Sequence, residues 1–193
     1  MKLVLASGSP RRKELLEQIA LRFQVHVVDM DESMLAGENA VQHVERLARE
    51  KARRGFEQLS PQGDDLAVLA ADTVVEIDGE VLGKPSSGGQ AAAFLARLSA
   101  RKHRVHTGVA LVTAEKELTE ISSSEVEFMS LSAQQIDAYV KTGEPMDKAG
   151  AYAIQGIAAQ FVVSLNGSYS GVVGLPLHET ASLLSICGIT SFN

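Results

Sequence analysis

A cluster of hydroxyl groups and cations follows the first short apolar run of the chain. The stretch reads ASGSPRRKELL, and it contains the serines Ser7 and Ser9 and the successive arginines Arg11 and Arg12. Ser9 followed by proline predicts the cap and the first residue of a helix. The free amides of a helix start bind anions, and arginine forks match phosphate oxygens, so the pattern indicates a phosphate-binding site. The alternative is that the cation run lies in solvent.

A carboxylate interrupts the most strand-like run of the sequence. Asp72 lies within LAVLAADTVVEI, at 66–77, where it follows six apolar residues. A buried carboxylate is costly unless it is paired or binds a metal, so Asp72 is a candidate general base or ligand of a hard cation. The alternative is an aspartate that caps a loop or pairs with a neighbouring lysine. Asp31 and Glu32 form a second acidic pair in a polar loop, a weaker signal because such residues are mostly solvated.

Three lysines are candidates for the same chemistry. Lys51 falls near the apolar face of a predicted long helix, Lys84 precedes a proline after a strand, and Lys148 follows an aspartate in a glycine-bearing loop. The alternative for each is an ordinary surface lysine with a solvated head. Together with the helix start and the carboxylates, these lysines favour metal-assisted attack on a phosphate ester.

Composition narrows the classes of function. The chain has 193 residues and a formal net charge of −6, so a large polynucleotide partner, which usually needs a basic face, is not expected. The five histidines show no zinc-ligand spacing, and no P-loop, dinucleotide-binding or nucleophile-elbow motif occurs. Cys187 has no second cysteine to pair with, the N-terminal apolar run is too short for a signal peptide, and no run reaches membrane-spanning length. We therefore expect a cytoplasmic protein that binds no membrane.

The elements that must position these groups are interspersed strands and helices. Strands are predicted at 2–6, at 22–29, at 66–77 with a return through the Asp78-Gly79 turn, and in two long segments joined by the turn AEKE. Helices are predicted from the cation run to about residue 20, in a long segment ended by the PQGDD break at 61–65, and in SGGQAAAFLARLS, SAQQIDAYVKTG and LPLHETASLLSICG. This mixture predicts an α/β fold with a mixed sheet flanked by helices, and two lobes with a cleft between them. We expect one domain over 1–193, with a hairpin-rich lobe at about 78–145.

Five stretches together resemble the Maf family of nucleoside triphosphate pyrophosphatases. They are LASGSPRRKELL (5–16), ERLAREKA (45–52), AADTVVEIDGEVLGKP (70–85), DKAGAYAIQG (147–156) and NGSYSGVVGLPL (166–177). They span nearly the whole chain in the family's order, and they are specific only in combination. The resemblance implies an elongated mixed α/β fold related to that of inosine-triphosphate pyrophosphatases, and a homodimer. It also implies hydrolysis of a nucleoside triphosphate to the monophosphate and pyrophosphate with a divalent cation, Mg²⁺ or Mn²⁺.

The resemblance also implies roles for individual positions. Asp72 matches the family's proton acceptor, which would activate water for attack on the α-phosphorus. The positions that match its phosphate-binding residues are Ser7, Arg12, Lys51 and Lys84. Glu32 matches an acidic pocket position, and it is expected to help Asp72 hold the metal.

Three further positions distinguish the sister branches of the family. Arg11, Thr73 and Gln155 match the branch specific for dTTP and UTP, whereas the branch specific for 7-methyl-GTP has tryptophan, glutamine and glutamate there. Gln155 can both donate and accept a hydrogen bond, as a pyrimidine imide edge requires. The expected function is hydrolysis of dTTP and UTP, or of modified pyrimidine triphosphates, as house-cleaning of nucleotide pools. The alternatives are action on 7-methyl-GTP and a non-enzymatic nucleotide sensor in septum formation.

Overall fold

The computed structural model of the chain describes residues 1–59 and 65–191. The strands are β1 (Lys2–Leu5), β2 (Phe23–Val25), β3 (Leu66–Ile77), β4 (Glu80–Leu82), β5 (Lys102–Val112), β6 (Glu117–Phe128) and β7 (Val162–Asn166). The helices are α1 (Pro10–Gln18), α2 (Ala40–Leu59), α3 (Gly88–Leu98), α4 (Ala133–Lys141), α5 (Tyr169–Val173) and α6 (Leu177–Ile186). Three short 3₁₀ turns cover Glu144–Asp147, Ala149–Ala151 and Ile157–Phe161. The predicted PQGDD break lies, apart from residue 65, outside the described residues.

The seven strands of the described residues belong to one mixed sheet, as the sequence predicts. The order is β2-β1-β3-β5-β6-β7, and β4 also pairs with β3. β1 runs parallel to both β2 and β3, and the remaining pairs are antiparallel. The sheet is therefore built around three long strands, β3, β5 and β6, which connect its two ends.

One edge of β3 changes partner along its length. β1 pairs with residues 66–69 and β4 pairs with residues 75–77, while β5 occupies the other edge. Within the described residues, 70–74 therefore have no strand partner on this edge, and they face an opening between the ends of β1 and β4. Because β1 and β4 both end at this opening, the residues that follow them, Ser7 and Lys84 among them, are brought to the same place.

The two faces of the sheet carry different helices because successive side chains of a strand point to opposite faces. On one face, α2 covers a cluster that includes Val4, Val68 and Ala70. On the other face, α1 and α6 cover a cluster that includes Leu5 and Leu69. A third cluster, beyond the opening, joins the far ends of β3, β5 and β6 to α3, α4 and the 3₁₀ turns. The opening thus forms a cleft between two lobes.

A glycine in β5 lets α2 approach the sheet closely. A Cβ added at Gly108 would lie 2.4 Å from the carbonyl oxygen of Val44, which no real side chain allows. Gly108 is also the cross-strand partner of Asp72. Lys51 follows Val44 by two helical turns, so the same face of α2 that meets Gly108 also directs Lys51 toward β3.

Three predicted elements differ from the structure. The strand predicted at 22–29 is only Phe23–Val25, because its neighbour β1 is itself only four residues long and supplies three residue pairs. α1 ends at Gln18 rather than near residue 20, where Ala20 has a positive φ of 55°. The stretch NGSYS has the composition typical of a turn, but it leads into the short helix α5, because the Ser168 side chain accepts a hydrogen bond from the Gly171 amide and caps it. Among the described residues, no helix is long and apolar enough to cross a membrane.

Candidate active site

A buried lysine joins two carboxylates at the opening beside β3. Lys51 Nζ lies 2.7 Å from Asp72 Oδ1 and 2.7 Å from Glu32 Oε1, and both Lys51 and Asp72 are only 7% exposed. Burying an ammonium group without partners would be costly, and the two carboxylates compensate that cost. The surface alternative for Lys51 is therefore wrong.

Asp72 does pair with a lysine, as its alternative interpretation predicted, but the pairing uses only one of its oxygens. Lys51 donates to Oδ1, and Oδ2 has no hydrogen-bond partner within residues 1–59 and 65–191. The carboxylate is thus oriented by Lys51 while its second oxygen can accept a proton or bind a cation.

Glu32 is held as an anion by the cations around it. Burial acts to raise its pKa, but the hydrogen bond and the positive charge of Lys51 outweigh it, so the pKa of Glu32 is lowered. The charges of Lys84 and Arg12 act in the same direction as Lys51. The loop before α2 therefore delivers a second negative charge close to Asp72.

Arg12 is half-buried and donates hydrogen bonds to three acceptors from different parts of the chain. Its Nε donates to the Gly174 carbonyl at 2.8 Å, Nη2 to Thr73 Oγ1 at 3.2 Å and Nη1 to Ser7 Oγ at 3.4 Å. Burial lowers the pKa of Arg12, and the charge of Asp72 opposes this, but a guanidinium remains protonated in proteins. Three of its five N–H groups are used by these acceptors, so two remain for a ligand.

The start of α1 differs from the prediction in its capping. Ser9 occupies the cap position and Pro10 the first turn, but the Ser9 side chain makes no capping hydrogen bond. Instead the Ser9 amide donates to Ser7 Oγ at 3.2 Å. The first-turn amides of α1 therefore receive no acceptor from the Ser9 side chain. They are available to donate hydrogen bonds to a bound anion.

Arg11 has a partner that lies far away in the sequence. Its Nη1 lies 3.1 Å from Asp147 Oδ2, and Asp147 also forms an ion pair with Lys148. Burial acts to raise the pKa of Asp147, but the hydrogen bonds and charges of Lys148 and Arg11 lower it. Asp147 thus offsets part of the positive charge crowded at the start of α1, and solvent alone does not explain the cation run.

Thr73 belongs to a chain of hydroxyl groups. Thr107 donates to the Gly171 carbonyl at 2.8 Å, and Thr73 Oγ1 lies 2.9 Å from Thr107 Oγ1. Because the Thr107 proton is committed to Gly171, Thr73 donates to Thr107 and accepts from Arg12. One acceptor lone pair of Thr73 is left for a ligand.

These residues line one continuous cleft. One part encloses about 1540 Å³ open to solvent, and it is lined by Ser7, Arg11, Arg12, Glu32, Lys51, Asp72, Thr73 and Lys84. The second part, of about 600 Å³, is lined by Gln155, Lys148 and apolar groups that include Tyr152 and Val105. Arg11, Arg12, Thr73, Lys84 and Asp147 line both parts. All nine site residues predicted from the sequence therefore share this cleft, which has a highly charged end and a more apolar end.

The charged end fits a hard divalent cation that shares its ligands with a polyanion. Asp72 and Glu32 each place one oxygen on Lys51 Nζ, so both carboxylates keep further lone pairs that can bind a cation beside the ammonium group. Within the described residues, no group of three or more histidine, cysteine or acidic side chains is placed to hold a metal. Mg²⁺ typically takes one or two carboxylates and completes its shell with water and substrate phosphates, which matches this donor set.

Three residues were not predicted from the sequence: Asp147 and Tyr152, which line the cleft, and Thr107, which lies behind Thr73 and bonds to it. Asp147 and Tyr152 lie in the DKAGAYAIQG stretch, but no local pattern marks Asp147 as the partner of an arginine 136 positions earlier. Thr107 lies on β5 opposite Thr73, and this cross-strand pairing was the signal that could have identified it.

The fold and the cleft define an α/β protein whose cleft has a cationic end, with the charge to attract a polyanion, and a less polar end. Comparison with known proteins narrows this class. The profile of the family described as "Maf-like protein" matches residues 2–187, and the chain belongs to this family.

Close relatives cover nearly the whole chain. The chain is 49% identical over 191 residues to a dTTP/UTP pyrophosphatase of Symbiobacterium thermophilum, covering 99% of this chain and 96% of the relative. It is 52% identical over 183 residues to a dTTP/UTP pyrophosphatase of Salmonella typhimurium, covering 95% and 91%. A solved nucleoside-triphosphatase / dITP/XTP pyrophosphatase of Mycobacterium abscessus is 21% identical with a TM-score of 0.45, covering 68% of this chain and 76% of that chain.

Proposed function

We propose that this protein hydrolyses dTTP and UTP to the nucleoside monophosphate and pyrophosphate. The observation that carries the proposal is the oriented carboxylate of Asp72, with one free oxygen, at a sheet opening lined by four cationic side chains. Lys51, Arg12, Arg11 and Lys84 supply those charges. The proposal is supported by relatives about 50% identical over nearly the full chain that are named dTTP/UTP pyrophosphatases.

In this proposal, Asp72 acts as the general base. Its free Oδ2 accepts a proton from a water molecule, and the oxygen of that water forms a bond to the α-phosphorus. The bond from the α-phosphorus to the bridging oxygen breaks, and pyrophosphate leaves with the electron pair. A carboxylate that is already fixed by Lys51 needs little reorganisation to accept this proton.

The phosphate groups would be bound at the charged end of the cleft. Lys51 has three N–H groups, of which Asp72 and Glu32 use two, so the third is available for a phosphate oxygen. Arg12 contributes its two remaining N–H groups, and Ser7 and Lys84 lie on opposite sides of the same opening. Stabilising the negative charge that develops on the leaving pyrophosphate is the main work of such donors.

Asp72 and Glu32 would hold a Mg²⁺ or Mn²⁺ ion together with phosphate oxygens. When bound, the ion would supply Lewis-acid polarisation of the phosphates. Asp72 and Glu32 would thereby place the α-phosphorus near the water that the free Oδ2 of Asp72 deprotonates.

The base would occupy the less polar end of the cleft. Gln155 offers both a donor and an acceptor, and the free lone pair of Thr73 can accept the N3–H of thymine or uracil. Arg11, fixed by Asp147, reaches both parts of the cleft and would orient the nucleotide between them.

A substrate panel tests this proposal. The purified protein is incubated with dTTP, UTP, dCTP or 7-methyl-GTP, each with Mg²⁺, with Mn²⁺ or with EDTA, and the products are separated. We expect monophosphate and pyrophosphate from dTTP and UTP, faster than from the other two, and no turnover with EDTA. Faster turnover of 7-methyl-GTP would contradict the substrate assignment, and binding of dTTP with no product would favour a nucleotide sensor.

The cytoplasmic location, the homodimer and the house-cleaning role stay proposals that rest on the sequence and on the resemblance to the family. Each has a direct measurement: fractionation of cells, sedimentation of the purified chain, and the level of modified pyrimidine triphosphates in cells that lack the protein.

A further inference from the structure

The turn that carries Gln155 is held by two residues that do not line the cleft. The Gly156 amide donates to the Ala153 carbonyl at 3.0 Å, which closes a four-residue turn with Gln155 at its third position. The Gln155 residue itself is exposed and lines the less polar end of the cleft. Its placement therefore depends on what fixes the two ends of the turn.

Tyr139 and Glu144 bond to the backbone on both sides of this turn. Before it, the Ala153 amide donates to the Tyr139 hydroxyl at 3.2 Å. After it, the Ile157 amide donates to Glu144 Oε2 at 3.1 Å, and the Ala158 amide to Glu144 Oε1 at 3.4 Å. The Tyr139 hydroxyl donates to Glu144 Oε1 at 2.8 Å, which links the two anchors into one network.

The network is tightly packed. A Cβ added at Gly156 would lie 2.5 Å from Glu144 Oε2, so the turn sits directly against the carboxylate. Tyr139 is 2% exposed, and its ring packs nearly perpendicular to that of Phe161 at a centroid distance of 5.3 Å. Burial raises the pKa of Tyr139, so its hydroxyl keeps the proton that it donates to Glu144.

Glu144 belongs to a short 3₁₀ turn that also holds Arg11, the second residue implicated in base selection. It begins at Glu144 and ends at Asp147, which pairs with Arg11. One four-residue element thus fixes the positions of Gln155 and Arg11 relative to each other across the less polar end of the cleft.

We infer that Glu144 is a positioning residue for base selection, acting through the Gln155 turn without touching the nucleotide. This inference rests on the proposed function. If the turn were loose, the Gln155 side chain would sample many orientations. It would then discriminate less between thymine or uracil, which have an imide edge, and cytosine, which has an amino group. Fixing both ends of the turn limits those orientations before the base arrives.

The test is Glu144→Gln, with kcat and KM measured on dTTP and on dCTP. The amide replaces one acceptor oxygen with a donor, so at least one of the bonds from Tyr139, Ile157 or Ala158 is lost. We expect the preference for dTTP over dCTP, as a ratio of kcat/KM, to fall by about tenfold, mainly through KM for dTTP. In a Gln155→Ala background, the same substitution should change that ratio by less than about twofold, because coupled residues do not add.

Tyr139→Phe is the second variant, and Asp137→Asn is the matched control. Tyr139→Phe removes only the bridging hydroxyl and should lower the ratio in the same direction, so it decides the matter if Glu144→Gln does not fold. Asp137 is exposed on the same helix as Tyr139 and pairs only with Lys141 among the described residues, and its substitution should leave the ratio unchanged.

An unchanged ratio in Glu144→Gln and Tyr139→Phe, or an equal loss of kcat/KM on both nucleotides, would overturn the inference while the proposed function stands. No release of pyrophosphate from dTTP by the wild-type protein would instead overturn the proposed function itself.

Discussion

Lys51 Nζ lies 2.7 Å from Asp72 Oδ1, and both side chains are buried at the one place where an edge of β3 lacks a strand partner among the described residues. The pair therefore links the candidate general base to the phosphate-binding cations. Lys51 orients the candidate base, and the same ammonium group, with its remaining N–H, is a candidate phosphate ligand.

Lys51→Met tests this dual role. Methionine preserves much of the volume but removes the charge that lowers the pKa of Glu32, so that pKa rises. We expect the acid limb of the plot of log(kcat/KM) for dTTP against pH to move to higher pH, and kcat/KM at neutral pH to fall by about 100-fold or more. Lys13→Met is the control, because Lys13 is exposed and pairs only with Glu17 among the described residues. An acid limb at the wild-type position would contradict the role of Lys51.

Arg12→Lys tests whether the guanidinium fork is required. A lysine carries the same charge but cannot reach the Gly174 carbonyl, Thr73 and Ser7 together. We expect KM for dTTP to rise by about tenfold or more, equivalent to about 1.4 kcal/mol of binding. Arg22→Lys, on an exposed residue, should leave KM unchanged, and the same result for Arg12→Lys would show that charge alone suffices.

Gln155→Glu tests the base assignment. Glutamate cannot donate, and its charge repels the carbonyl oxygens of thymine and uracil. We expect kcat/KM for dTTP and UTP to fall by about tenfold or more, with thermal stability unchanged. Gln18→Glu, on an exposed residue of α1, controls for the added charge. Equal activity of the Gln155 variant on dTTP would mean that the base lies elsewhere.

The loop that carries Glu32 is itself fixed by an ion pair that should make stability depend on pH. Arg46 Nε and Nη2 donate to Glu38 at 2.7 and 2.8 Å, and these bonds lower the pKa of Glu38 to about 2. A lowered pKa stabilises the fold above pH 4.5, and that stabilisation is lost as pH falls through the window from about 4.5 to about 2. Between pH 7 and pH 4 we expect wild type to lose about 1 kcal/mol more unfolding free energy than Glu38→Gln, measured by urea denaturation. Glu14→Gln, on an exposed residue, should follow wild type, and parallel pH curves for wild type and Glu38→Gln would refute the assignment.

The local elements were predictable because their signals are local. β3 follows its apolar run from Leu66 to Ile77, and Asp78 and Gly79 adopt the positive φ values of 56° and 77° that a two-residue hairpin requires. Ser132 and Gln135 form the capping box that their spacing predicts.

The arrangement of the site was predictable only in part. The nine site residues could be selected by type and by resemblance, but the bond from Arg11 to Asp147 joins positions that only the tertiary fold brings together. The length of β2 was likewise set by its neighbour rather than by its own sequence. The anchoring of the Gln155 turn by Glu144 depends on a close approach at Gly156 that no spacing in the sequence marks.

Asp72→Asn tests the central claim most directly. Asparagine keeps the size of the side chain and an oxygen for Lys51, but it cannot accept a proton from water, so the fold should persist while the chemistry stops. With dTTP and Mg²⁺ or Mn²⁺, we expect pyrophosphate release to fall by about 10²–10⁴-fold, at an unfolding temperature close to that of wild type. Pyrophosphate release from dTTP at the wild-type rate would contradict the assignment of Asp72 as the base.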